Sequence, residues 1–109
     1  MKNDVAILII LYNPQNDFFI NNLNIDCKYI VVDNTIEHDK FFVNKLLNYS
    51  NLDYIPLYDN MGIAKALNIG ALKAVELGYK YIITMDQDSL LTKQVFNELI
   101  NFYDTTSHC

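Results

Sequence analysis

Asp86 and Asp88, separated by Gln87, are the residues of this chain best placed by type and spacing to do chemistry. They follow Tyr81-Ile-Ile-Thr-Met85, a β-prone run. In extended backbone, residues i and i+2 project to the same side, so the two carboxylates can converge on one point. Two carboxylates facing one point repel, and a divalent cation with oxygen ligands satisfies such a pair. The alternative is an acidic turn that ends a strand, because acidic residues are ordinary turn formers. Position bears on the choice. Ligands of open α/β sheets bind just beyond the carboxyl ends of the strands, which is where the pair falls if 81–85 is a parallel strand.

The elements that must position these acids can be read in order. Val5-Ala-Ile-Leu-Ile-Ile-Leu11 is a continuous apolar run closed by Tyr12-Asn13-Pro14, the signature of a strand buried on both faces. A weak helical segment covers Gln15–Leu23. Tyr29–Val32 is a second strand, ended by Asp33. His38–Tyr49 carries Phe41, Phe42, Leu46 and Tyr49 at helical spacing. Tyr54–Leu57 is a short third strand, and Pro56, which cannot donate to a ladder, assigns it to a sheet edge. The turn Asp59–Gly62 offers an N-cap for a helix over Ile63–Leu77, with Gly78 in the stop position. That helix presents Ile63, Leu67, Gly70, Ala71, Ala74 and Val75, and Gly70 implies close packing on a strand. Asn68, a poor mid-helix residue, sits in solvent or meets something polar. After the fourth strand, a helix over Thr92–Tyr103 uses Val95, Phe96, Leu99 and Ile100.

Strand and helix alternate throughout, which predicts a parallel α/β sheet. The polar ends Tyr12-Asn13, Asp33-Asn34 and Asp86–Asp88 then gather on one edge, a convergence that favours a ligand site over an accidental acid pair.

Composition bounds the function. The chain has 109 residues, 51% hydrophobic and 19% charged, so one globular domain over 1–109 is expected. Its net charge of −5 gives no footprint for nucleic acid. An anionic ligand must therefore be held locally, by a metal, backbone amides or a few lysines. Cys27 and Cys109 form neither a disulfide framework nor a metal-ligand spacing, which fits a reducing compartment. The run Val5–Leu11 is too short for a membrane span and lacks the features of a signal peptide. A cytoplasmic protein is the expectation. No Gly-x-Gly-x-x-Gly or phosphate-binding loop follows the first strand, which argues against a dinucleotide fold. No acidic pair stands there either, against a receiver domain, and too little chain follows Asp88 for a haloacid-dehalogenase phosphatase. His38 and His108 read as surface residues.

Val5–Pro14, Ile30–Asn34, Asn60-Met-Gly62 with Ala64-Lys-Ala-Leu-Asn-Ile-Gly70, and Tyr81–Ser89 together resemble the N-terminal half of family 2 glycosyltransferases. The wording Ala-Leu-Asn-Ile-Gly and Asp-Gln-Asp-Ser is closest to the rhamnosyltransferase branch. The resemblance covers nearly the whole chain in the right order. It implies the nucleotide-binding half of a GT-A domain: a Rossmann-like, mostly parallel sheet of order 3-2-1-4 with helices on both faces. It implies a nucleotide-diphosphate sugar donor, dTDP-rhamnose among the candidates, and a saccharide or lipid-linked saccharide acceptor in surface polysaccharide synthesis, in the cytoplasm or at the cytoplasmic membrane face. Tyr12 and Asn13 would line the base pocket and Asp33 would accept hydrogen bonds from base or ribose. Asn60 and Lys65 would line the nucleotide cleft, Asp86 would face the ribose and metal, and Asp88 would ligate Mg²⁺ or Mn²⁺ on the diphosphate. The metal would act as a Lewis acid that neutralises the leaving diphosphate.

Two departures from the family pattern stand out. Leu67 occupies the position where many relatives carry an arginine for the phosphates. The second half, which holds the acceptor site and the general base, has no counterpart among these residues, so no catalytic residue is assigned and the chain alone is expected to lack turnover. The alternative readings are a non-catalytic nucleotide- or metal-binding module, an inactive fragment, or an α/β interaction domain. Asp33 can be read as a helix cap or a turn acid, Tyr12 as a packing aromatic and Lys65 as a solvated lysine. The fourth strand is expected to present an apolar edge through which copies could associate.

Overall fold

The computed structural model of the protein describes residues 4–14, 20, 23, 25–87 and 92–106, with side chains to 102. The segment 15–23 expected to be helical lies largely outside the described residues, as do Asp88, Ser89 and His108. The elements run β1 (Val5–Leu11), β2 (Lys28–Asp33), α1 (Lys40–Leu47), β3 (Leu52–Pro56), α2 (Ile63–Glu76), β4 (Tyr81–Asp86) and α3 (Lys93–Thr106). All strand pairs are parallel and the order is β3-β2-β1-β4, as the resemblance implied.

β1 is central because both of its faces are apolar. Val5, Ile7, Ile9 and Leu11 join Tyr29 and Val31 of β2, Phe42 and Leu46 of α1 and Phe96 of α3 in one cluster. Ala6 and Leu8 join Ile30 and Val32 with Ala66 and Ala74 of α2 in the other. Period-two alternation thus sends one set of side chains toward α1 and α3 and the other toward α2. Helices cover both faces. This is why the run 5–11 shows no polar alternation.

α2 lies close to the sheet through a narrow stripe of small residues, Ala66, Gly70 and Ala74, each four positions apart. A Cβ on Gly70 would collide with Leu8 Cδ1 and lie 2.9 Å from Leu8 Cδ2 and 3.1 Å from Val32 Cγ2. The close approach expected at Gly70 is therefore present. The wider face expected for this helix is not: Ile63 is 70% and Val75 66% exposed. Ile63 begins the helix, and Val75 lies about 100° round from Ala74. For the same reason Phe41, next to buried Phe42, is turned to solvent, and Val95, next to buried Phe96, is substantially exposed. Asn68 is exposed, as one of its two readings had it.

The caps differ in part from expectation. Asp39 caps α1, its carboxylate accepting from Phe41 N–H at 2.9 Å. At α2 no side chain caps; the N-cap is Gly62, at φ 85° and ψ 157°, a left-handed backbone that glycine adopts without a Cβ penalty. Gly78, at φ 88°, takes the stop position after α2. β3 lies at the sheet edge, with Pro56 opposite Asp33 at its end. β4 is the other edge, and Asp86 still belongs to it.

Candidate functional site

The carboxyl ends of β1, β2 and β4 meet at one edge, where Leu11 pairs with Asp33 and Ile10 with Asp86. Alternation then separates the two acids. Asp33 continues the series Tyr29 and Val31 toward α1, whereas Asp86 continues Ile82, which packs in the α2 cluster. They flank the tip of β1 on opposite faces of the sheet.

The loop at that tip is held from both sides. Gln87 Oε1 accepts from Tyr12 N–H at 2.8 Å, and Gln87 Nε2 donates to the Tyr12 carbonyl at 3.3 Å. The next amide, Asn13 N–H, donates to Thr35 Oγ1 at 2.9 Å, and Asn13 takes the left-handed φ of 43°. The residue between the two acids of the Asp-x-Asp pair is thus a strap between β4 and β1. Tyr12 is 51% exposed beside this strap.

On the α1 face, Asn13, Pro14, Asp33, Thr35 and His38 border a cavity of about 210 Å³, closed by Phe42 and Val43 of α1. Asp33 is 2% exposed. Its Oδ2 accepts from the Tyr54 hydroxyl at 2.6 Å, while its buried Oδ1 has no hydrogen-bond partner among the described residues. A buried carboxylate oxygen left unpaired costs about 1–3 kcal/mol or more, so it calls for a donor that enters the site. His38 Nδ1 lies 2.9 Å from Tyr54 Oη and 3.8 Å from Asp33 Oδ2, and its Nε2 lies 2.7 Å from the Thr35 carbonyl oxygen. The Tyr58 ring stacks on it, 4.8 Å between centroids and 12° between planes. The expectation that His38 is a surface residue is therefore corrected: its side chain is 10% exposed, drawn in by these contacts. Burial, and then the hydrogen bond to Asp33, push the Tyr54 hydroxyl well above the ordinary tyrosine range, so it remains a donor.

On the α2 face the arrangement is more open. Asn34 Nδ2 donates to Asn60 Oδ1 at 3.1 Å, and Gly62 N–H donates to the same oxygen at 3.2 Å. Asn60 Oδ1 thus serves the turn that starts α2. Lys65 is exposed in the first turn of that helix, which carries no acidic residue. Asp86 is an exposed carboxylate at the end of β4. Carboxylate oxygens are the donor chemistry of Mg²⁺ and Mn²⁺ sites, and Asp88, two positions on, has the same chemistry but lies outside the described residues. Among the described residues no group of three His, Cys, Asp or Glu side chains is arranged to hold a metal ion.

Of the sequence-predicted residues, the structure brings Asn13 and Asp33 to one cavity and places Tyr12 on the neighbouring rim. Asn60, Lys65 and Asp86 lie with the α2 face. Tyr54, His38, Thr35 and Gln87 were missed. The only signal for Tyr54 is its register: it pairs with Val31, two residues before Asp33, and so shares that acid's face.

A parallel 3-2-1-4 sheet with polar strand ends at one edge, covered by helices on both faces, is the frame expected of a GT-A domain. The chain matches the Glycosyl transferase family 2 over residues 7–108 and belongs to that family. It is similar to the dTDP-rhamnosyl transferase RfbF of Shigella flexneri, 32% identical over 112 residues, which covers 95% of this chain and 36% of that protein. The chain thus spans about a third of that relative's length. Among the described residues no helix is long and apolar enough to cross a membrane.

Proposed function

We propose that this chain is the donor-binding portion of a glycosyltransferase and takes a nucleotide-diphosphate sugar across the carboxyl edge of its sheet. The observation that carries this reading is the buried Asp33 Oδ1, which has no partner among the described residues and borders a cavity at that edge. A base imide N–H or a ribose hydroxyl is the donor it lacks. The nucleoside enters on the α1 face, against Asn13 and under the Tyr12 rim. The diphosphate passes over the tip of β1 toward α2, whose N-terminal amides and Lys65 favour anions, with Asn60 beside them.

Asp86 faces the ribose and metal side, and Asp86 with Asp88 would hold Mg²⁺ or Mn²⁺. When bound, the cation supplies Lewis-acid neutralisation of the leaving diphosphate. The similarity to a dTDP-rhamnosyl transferase favours dTDP-rhamnose as donor. The proposal extends to a saccharide or lipid-linked saccharide as acceptor and to inverting transfer in surface polysaccharide synthesis at the cytoplasmic side. No residue here is assigned as general base, and the 109-residue domain by itself binds donor without turnover. A non-catalytic nucleotide- or metal-binding module is the second reading, favoured by Leu67 standing where many relatives have a phosphate-contacting arginine.

Titration calorimetry of dTDP, UDP and GDP, each with Mn²⁺ and with chelator, tests the proposal. Micromolar to millimolar binding of at least one is expected; no binding of any of them overturns it. Acceptor-dependent release of nucleotide diphosphate by the purified chain would overturn the absence of turnover.

A further inference from the structure

Thr35, His38, Tyr54 and Asp33 form an unbroken line of three contacts, 2.7, 2.9 and 2.6 Å long. Each contact needs one hydrogen. The Thr35 carbonyl has none to offer, so His38 Nε2 supplies the first. The other two contacts involve Nδ1, the tyrosine hydroxyl and the carboxylate. A neutral histidine and an ionised Asp33 bring only the single tyrosine hydrogen to them. One contact would then set two lone pairs against each other at hydrogen-bonding distance.

One further hydrogen completes the line, and it can sit at either of two places. On Nδ1, it makes an imidazolium that donates to Tyr54, which donates to Asp33. On Asp33 Oδ2, it is donated to Tyr54, which donates to Nδ1. In both arrangements the line holds one proton more than a neutral histidine, a tyrosine and a carboxylate together. In both, Asp33 Oδ1 carries no hydrogen and can only accept.

Glu37 and Asp39 border the same cavity as Asp33 and His38, and neither lysine nor arginine is among its lining residues. Tyr58 stacks face to face against the imidazole, 4.8 Å between centroids. Aromatic faces attract a cation.

We propose that His38 and Tyr54 are positioning residues that hold Asp33 through a shared proton, so that nucleoside binding is coupled to proton binding at this line. The inference rests on the nucleotide-binding reading of Asp33. When the proton leaves, the tyrosine hydrogen stays with the charged carboxylate and the contact to His38 opens, so Tyr54 is no longer held from both sides and Asp33 Oδ1 is presented less firmly to an incoming N–H. Binding therefore weakens as pH rises through the range in which histidine gives up its proton.

Two measurements on the 109-residue chain test this, and they fail separately. In the free protein, the ¹⁵N signals of His38 and the ¹³C carboxyl signal of Asp33 should titrate together. Tyr54→Phe, which keeps the ring and cuts the line, should uncouple them. Separate midpoints in the unmodified chain overturn the shared proton, whatever the ligand. In the second measurement, dTDP affinity is followed from about pH 5.5 to 8, expected to fall roughly tenfold in the unmodified chain. His38→Gln and Tyr54→Phe, checked for folding by circular dichroism, should show flat profiles. A His38→Gln profile that keeps the full pH dependence overturns the positioning role while leaving the nucleotide site intact. If neither dTDP nor UDP binds at any pH, the nucleotide reading itself fails, and the positioning role with it.

Discussion

The side-chain amide of Asn34 joins the end of β2 to the turn before α2, donating from Nδ2 to Asn60 Oδ1 at 3.1 Å. Its Oδ1 accepts from Met61 N–H at 2.7 Å, and Asn34 is 2% exposed. One buried amide therefore sets both the strand end and the helix start. Asn34→Ala leaves the Met61 amide without this acceptor and should destabilise the fold by about 1–3 kcal/mol. Asn60→Ala, at an exposed turn, should cost about 1 kcal/mol or less. Urea unfolding of both variants checks the order, and equal losses would count against it.

Gly70→Ala opposes two effects. Helix propensity gains about 1 kcal/mol, but the new Cβ meets Leu8 and Val32 side chains already in contact with α2. Overpacking costs about 1–3 kcal/mol, so net destabilisation is expected. Adding Leu8→Ala should make Gly70→Ala less costly than in the parent. If Gly70→Ala alone raises the melting temperature, the close approach of α2 to β1 is wrong.

Burial raises the hydroxyls of both Tyr54 and Tyr29 above the ordinary tyrosine range. For a group whose folded value is raised, the stabilisation is complete below the unfolded value and is lost as pH rises beyond it. Stability should thus hold through neutral pH and begin to fall near pH 10, about the unfolded tyrosine value. Tyr54→Phe should show a shallower alkaline decline. Thermal melts between pH 7 and 11 read this directly.

Asp33, which ends β2, and Asp88, two positions beyond the last residue of β4, should separate in their metal dependence. Asp33→Ala removes a direct acceptor and should weaken nucleotide binding about 5- to 150-fold, the equivalent of about 1–3 kcal/mol, by a similar factor with and without Mn²⁺. Asp88→Ala should leave metal-free binding nearly unchanged and abolish the enhancement by Mn²⁺. Calorimetry of both variants in Mn²⁺ and in chelator gives the comparison. Retention of the full Mn²⁺ enhancement in Asp88→Ala would return the pair to a strand-ending turn.

Tyr81–Asp86 pairs with β1 on one side, and among the described residues no strand pairs with its other side. An uncovered edge is a template for strand pairing, so self-association is expected at high micromolar concentration. Thr84, exposed on β4, offers a place to add a charge: Thr84→Lys should shift the chain toward monomer. Light scattering that shows a strict monomer for the unmodified chain would rule this edge out as a contact.

Local pattern sufficed for the described strands and helices and their parallel pairing, with β3 starting two residues before the expected Tyr54 and the segment 15–23 largely outside the described residues, because each signal is carried by neighbouring residues. The apolar run 5–11 requires burial on both faces, Pro56 requires an edge, and Gly70 requires close contact with a strand. The family wording supplied the strand order. What tertiary structure decided was which side chains share a face at the carboxyl edge. Asp33 and Asp86 look alike as strand-ending acids, yet the register through Leu11 and Ile10 sends them to opposite faces. Likewise, the width of a helix's buried stripe depends on the surface beneath it, so Phe41, Ile63 and Val75 fit an apolar period and still face water. His38 is the clearest case. Its partners Asp33, Tyr54 and Tyr58 come from β2, from β3 and from the loop after β3. Only the packing of α1 against β2 and β3 brings that histidine to a buried carboxylate, because such contacts depend on distance in space and not along the chain.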